Sequence, residues 1–278
     1  MKKIIAAFDG LKYSESTSTY AVQIAKGVDA HLVGVFLDDP LYTSYKIYDL
    51  VANGGVSEKK LKRFDRIDAN KRKKAAELFE SVCDDAGINF SVHHDRGFAL
   101  QDLIHESAYA DLLIIDADET FGHHDEKQPT RFIRDVLADS HCPVMLVPHK
   151  YTDIEKVVLL YDGEPSAVYA IKMFSYLLPQ FKNLKPHLLS IKMMNQSSKL
   201  PDNALMKEFM SRHFPKVDYK VIKGFADTEI LKTLKSFGPN VLVVLGAYQR
   251  SGVSRWFHES MADTLLRETK LALFIAHQ

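Results

Sequence analysis

Nine residues near the start of the chain, KKIIAAFDG, return near its middle as EKVVLLYDG. Each phrase is an apolar run closed by Asp-Gly, at Asp9-Gly10 and again at Asp162-Gly163. Later landmarks repeat in the same order. HLVGVFL is answered by KPHLLSIKM, and DRGFALQDLIHESA by IKGFADTEILKTLK. ADLLIIDA is answered by NVLVVLGA, and CPVMLVPH by LALFIAHQ. A repeat this long means one multi-element plan used twice. Helical stretches separate the apolar runs: Ala21, Ile24, Ala25 and Val28 keep helical spacing in the first half. Pro165 suits a first helical position, with Ala170, Met173, Phe174 and Leu177 as an inner face in the second. Five strands alternating with four helices, twice over, predict an α/β fold: two tandem five-stranded parallel-sheet α/β sandwiches. The strands are apolar nearly throughout, which suits sheets covered on both faces. The pattern breaks at PHKYTD, so the halves read as domains 1–149 and 154–278.

Composition narrows the function. Lys+Arg and Asp+Glu both number 36, so no global field draws the chain to nucleic acid or to an anionic membrane. No apolar run nears the roughly 18 residues of a membrane helix. The opening MKKIIAAFDG meets Asp9 too early for an export signal and reads as a strand. Cys83 and Cys142 are the only cysteines, which argues against a disulfide framework and for a reduced, cytoplasmic setting. Cys142, before Pro143 and a strand, reads as a buried structural thiol.

The first half carries an insertion at about residues 40–58, with Tyr42, Tyr45 and Tyr48 about one helical turn apart. It reads as a flap or short helix, with a partner-binding surface as the alternative. The helix after it places Phe64, Ile67, Leu78, Phe79 and Val82 on its inner face. Its lysines and Arg63 alternate with Glu58, Asp65 and Asp68, the composition of a solvated face rather than a nucleic-acid patch.

The stretch 246–260, GAYQRSGVSRWFHES, follows the apolar run 241–245 and leads into a helix. A buried strand, a small polar turn and a helix start offer backbone N–H groups to an anion. Together, the Asp-Gly after each first strand, the Gly97/Gly224 pair and this turn resemble the universal stress protein family in its tandem form. The resemblance covers nearly the whole chain. It implies a five-stranded parallel α/β sandwich in each half. It also implies ATP binding in some members and none in others, and dimers joined through last strands. In the nucleotide-binding members the loop runs Gly, two residues, Gly, nine residues, Gly, then Ser or Thr. Here Gly246 matches the first glycine and Ser260 the hydroxyl, with Arg250, Ser251 and Gly252 between them. Gln249 and Glu259 stand where the other glycines belong, and a carboxylate beside phosphate adds like-charge repulsion. ATP is therefore a candidate ligand of the second half only, at Asp162, Gly246, Arg250, Ser251, Gly252 and Ser260. Asp9 is the weaker first-half counterpart of Asp162. Both aspartates also suit a plain cap or turn. In the first half Asp116 stands opposite Gly246, and Asp118 and Glu119 make that strand end acidic.

Other chemistry finds little support. Adjacent His93 and His94 point to opposite strand faces, and His123-His124 lacks metal spacing, so no metal site is expected. No dinucleotide, Walker or serine-elbow motif is present. Trp256 and Phe257 read as packing or interface residues. The resulting expectation is a non-enzymatic, cytoplasmic stress-response module. The alternatives are a weak ATPase using the second half and a purely structural partner-binding protein. The last strands, VMLVP and LALFI, are expected to pair within the chain as a pseudo-dimer, which leaves a further homodimer open.

Overall fold

The computed structural model describes residues 2–39, 42–43, 58–122, 126–246 and 261–277. Its centre is a single ten-stranded sheet in the order β3-β2-β1-β4-β5-β10-β9-β6-β7-β8. The strands of the first half are β1 (Lys3–Asp9), β2 (His31–Leu37), β3 (Phe90–Asp95), β4 (Leu112–Asp116) and β5 (Val144–Val147). Those of the second are β6 (Lys156–Leu160), β7 (His187–Lys192), β8 (Asp218–Lys223), β9 (Val241–Gly246) and β10 (Ala272–Ala276). Within each half every pairing is parallel, as the buried apolar strands require. The halves meet through one antiparallel pair, with Leu273 opposite Leu146, Phe274 opposite Met145 and Ile275 opposite Val144. The expected pairing of the last strands is thus present.

Eight helices cover the sheet among the described residues. Helices α1 (Glu15–Val28), α2 (Glu58–Ala86), α5 (Pro165–Leu177) and α6 (Asn203–His213) lie on one face. Helices α3 (Ala99–Ser107), α4 (Arg131–Asp139), α7 (Ala226–Phe237) and α8 (Met261–Glu268) lie on the other. Strand alternation divides the core accordingly: Ile4, Ala6 and Phe8 face the first layer, Ile5 and Ala7 the second. No helix among the described residues is long and apolar enough to cross a membrane.

Helix α2 corrects one expectation from periodicity. Phe79 is fully buried, but Ile67, Leu78 and Val82 are exposed. The inner face is Asp68, Ala75, Ala76, Phe79 and Cys83. Small residues line it because the helix lies close on β2. A Cβ on Gly34 would sit 2.6 Å from the Phe79 ring, so that strand position admits only glycine. Phe79 also meets the rings of Phe8, Phe36 and Phe90 at centroid distances of 5.3, 6.1 and 6.2 Å. Replacing Phe79 by Ala should therefore cost about 3–5 kcal/mol, read by denaturant unfolding of the full chain.

Candidate functional site

In each half the chain leaves its first strand toward one sheet edge, then crosses back to lay its fourth strand on the opposite side. The carboxyl ends of β1 and β4, and of β6 and β9, therefore part to form a crevice where open α/β sheets hold ligands. Asp9 and Asp116 stand at the first crevice, Asp162 and Gly246 at the second.

The two aspartates after the first strands share a local structure. Asp9 Oδ1 accepts the Leu11 N–H at 2.8 Å, and Asp162 Oδ1 accepts the Glu164 N–H at 2.9 Å. Both are turn residues that hold the chain two positions on. Neither caps its helix: Ser14 caps α1, and Glu164 stands before α5 without a side-chain bond. Their surroundings differ, since Asp9 is buried and Asp162 is exposed.

The first crevice is closed by its own side chains. Tyr42 comes down on Asp9, and the Lys12 ammonium lies 5.6 Å from the Tyr42 ring centre. Lys12 also donates to the Gly122 carbonyl at 3.1 Å, joining the loops after β1 and β4. Arg72 of α2 donates to the Tyr42 carbonyl at 3.1 Å and pairs with Asp38. Glu119 enters from the other side, its Oε1 accepting the N–H groups of Thr120 and Phe121 at 2.9 and 3.0 Å. Burial, then the negative Asp9 and Asp116 beside it, raise its pKa to about 7. Burial likewise raises Asp9 above the usual carboxylate range. Three converging carboxyls and a tyrosine lid make this crevice hostile to a phosphate.

Asp116 and Gly246 solve one packing problem in two ways. In the first half the Ser14 hydroxyl donates to Asp116 Oδ2 at 2.9 Å while Ser14 Oγ accepts the Thr17 N–H at 3.2 Å. The strand end thus holds the start of α1 through a side-chain pair. His149 Nδ1 lies 3.2 Å from the same Asp116 oxygen. In the second half the start of α5 comes directly onto the strand. A Cβ on Gly246 would lie 2.4 Å from the Ser166 carbonyl carbon and 2.7 Å from the Ala167 nitrogen. Only glycine allows that approach, with or without a ligand.

Of the other expected site residues, Arg250, Ser251, Gly252 and Ser260 lie outside the described residues. So do Gln249, Trp256, Phe257, Glu259, Tyr45, Tyr48, His123 and His124. Among the described residues no group of three or more His, Cys, Asp or Glu side chains is arranged to hold a metal. His93 binds Glu106 at 2.8 Å while the ring of His94 meets Phe36, so the two do turn to opposite faces. Cys142 is buried, and burial pushes its thiol up to about 12. Sequence reasoning named Tyr42 and Glu119 but not their meeting at Asp9, which joins three segments distant in sequence.

No protein-family model matches this chain, and no curated protein matches it. Solved structures do. A universal stress protein from Archaeoglobus fulgidus DSM 4304 aligns over 99% of this chain and 98% of its own, at 14% identity and a TM-score of 0.71. A functionally unknown protein from Pseudomonas aeruginosa PAO1 aligns over 100% of this chain and 92% of its own, at 14% identity and a TM-score of 0.62.

Two outcomes follow from the geometry. Glu119 holds its proton to higher pH when folded, so its contribution to stability is full below its ordinary 4.5 and is lost as pH rises through about 7. Glu119→Gln should remove that loss, gaining about 1–2 kcal/mol at pH 8 and little at pH 4.5, in paired denaturant melts. Gly246→Ala should cost about 1–3 kcal/mol without any ligand, because the added methyl drives α5 off the strand. Across its full length, the chain carries the fold of a universal stress protein.

Proposed function

We propose that the chain is a tandem universal stress protein of the cytoplasm, acting as a non-enzymatic binding or regulatory module. Its remaining nucleotide site lies in the second half, at Asp162 and Gly246, with Arg250, Ser251, Gly252 and Ser260 in the sequence that follows β9. The observation that carries this reading is the contrast between the crevices. The first is filled by Tyr42, Glu119 and the buried Asp9, whereas Asp162 is exposed at the mouth of the second. An exposed carboxylate beside a strand end can accept a hydrogen bond from a base amino group. The domains 1–149 and 154–278 are proposed as the units of this module, and their joined last strands let one chain do what two copies do in a dimer.

The chemistry of phosphoryl transfer needs positioned charge and a metal, and among the described residues no group of three or more His, Cys, Asp or Glu side chains is arranged to hold one. A binding role therefore accounts for the site more simply than turnover. Calorimetric titration of the nucleotide-stripped full chain with ATP and Mg²⁺ is the test. One site per chain with micromolar affinity is expected, weakened about tenfold by Asp162→Ala and untouched by Asp9→Asn. No phosphate release should follow. Absence of heat, with no nucleotide liberated from freshly purified protein on denaturation, would overturn the nucleotide assignment. Sustained phosphate release would overturn the non-enzymatic one.

A further inference from the structure

A groove of about 410 Å³ runs between α5 and α6, on the helical layer of the second half. Tyr161, Val168, Tyr169, Met206 and Phe209 make it apolar and aromatic, and Lys172 stands over the Tyr169 ring at 5.5 Å. Its size falls within the range of small-molecule pockets. Its wall includes Tyr161 and Gly163, which flank Asp162, but neither Asp162 nor Gly246, so the groove adjoins the proposed nucleotide site without using its residues.

The first half shows what fits there. Helices α1 and α5 correspond with a constant offset: Thr17, Tyr20, Ala21, Ile24 and Ala25 are buried, as are Ala167, Ala170, Ile171, Phe174 and Ser175. Ser18 is then the counterpart of Val168, and Val22 that of Lys172. Phe8 and Tyr161 correspond because each precedes the Asp-Gly. The connection from that aspartate to its helix differs in length. It takes six positions from Asp9 to Glu15 and three from Asp162 to Pro165. The three additional residues bring Tyr13 onto Phe8, stacked at 5.3 Å and 24°, with its hydroxyl at Ser18. Tyr13 is therefore an aromatic ring seated on the counterparts of Tyr161 and Val168. The shorter connection of the second half supplies no such ring, and the space between its aromatic walls is open.

Charge decides what the ring should carry. Lys172 replaces the apolar Val22, and among the described residues no carboxylate pairs with it. The same end of the groove is further positive: Lys182 and Lys172, after burial, hold His213 below the ordinary histidine value. Asp202 stands at the opposite end, where burial first, and then Asp202 and Asp162, raise the Tyr161 hydroxyl above its ordinary value. From Pro165 to Lys172 the helix rises about 10 Å, so the two ends are separated by roughly one small aromatic molecule. An acidic group would point toward Lys172, where it is attracted, and away from Asp202.

We propose that this groove binds a flat aromatic monocarboxylate, its ring lying where Tyr13 lies in the first half and its carboxylate on Lys172. Aromatic rings on two walls and the Met206 thioether suit such a ring. Naphthalene-2-carboxylate is a suitable probe, with naphthalene-2-carboxamide as its uncharged match. Titration of the full chain should give saturable binding of the acid, with the amide about fivefold weaker, the worth of one partly exposed charge pair. Lys172→Ala should bring acid and amide together. Val168→Trp should fill the groove and abolish binding of both while leaving the far-ultraviolet circular dichroism unchanged. Should Val168→Trp fail to fold, Leu205→Glu on the exposed wall takes its place, and it should weaken the acid more than the amide; an unchanged ratio would overturn the proposal. Equal binding of acid and amide by the natural chain, no saturable binding, or full binding by folded Val168→Trp would each overturn the proposal. ATP binding enters none of these readouts, so this site and the nucleotide site succeed or fail separately.

Discussion

The antiparallel contact of β5 with β10 is the interaction on which the rest of the molecule depends. Both strands are apolar on both faces, and each is nearly inaccessible to solvent along its whole length. Apart, each half would present an unpaired, hydrophobic strand edge, the feature soluble proteins avoid most consistently. Joined, they turn two five-stranded sheets into one and let the helical layers run on across the centre. Other contacts reinforce the seam. The Lys2 ammonium, just before β1, donates to the carbonyls of Tyr176 and Leu177 at 2.7 Å each, at the carboxyl end of α5. That is where a helix favours a cation. The Tyr20 hydroxyl of α1 donates to the Thr152 carbonyl at 2.8 Å and so fixes the connection between the halves. The outer edges are managed differently. β8 carries Asp218, Lys220 and Lys223, and such charges discourage further strand addition.

Much of this was legible in the sequence because it rests on short-range pattern. Apolar runs closed by Asp-Gly mark where β1 and β6 end, and the order of the repeated phrases yields the element order of both halves. Helix α2 was harder. Over its 29 residues, apolar side chains fall on more than one face. Ile67, Leu78 and Val82 look as inward as Phe79 until the neighbouring strand is known. What selects the true face is Gly34, whose missing side chain admits the Phe79 ring, and that complementarity spans two elements.

The candidate sites were less legible for the same reason. Gly246 reads equally well as a phosphate-contacting glycine and as a packing glycine. The position of Ser166, eighty residues earlier, is what makes glycine necessary whatever binds there. Glu119 looked merely acidic. Its high pKa comes from burial and from Asp9, which a turn after β1 holds in place. Tyr13 is harder to read, because its meaning lies in the three additional residues between β1 and α1 and in the stacking on Phe8 that they allow.

The seam between β5 and β10 also bears on how the two halves could come to differ. In a symmetric dimer of identical chains, every site occurs twice with the same residues, and any change is made in both places at once. Fusion lifts that restriction. Asp116 can stand where its partner half keeps Gly246, and Tyr13 can plug one groove while the other stays open. The covalent link also frees the pairing from protein concentration, since the second strand is always at hand. One chain can thus hold a filled crevice in one half and an open groove in the other.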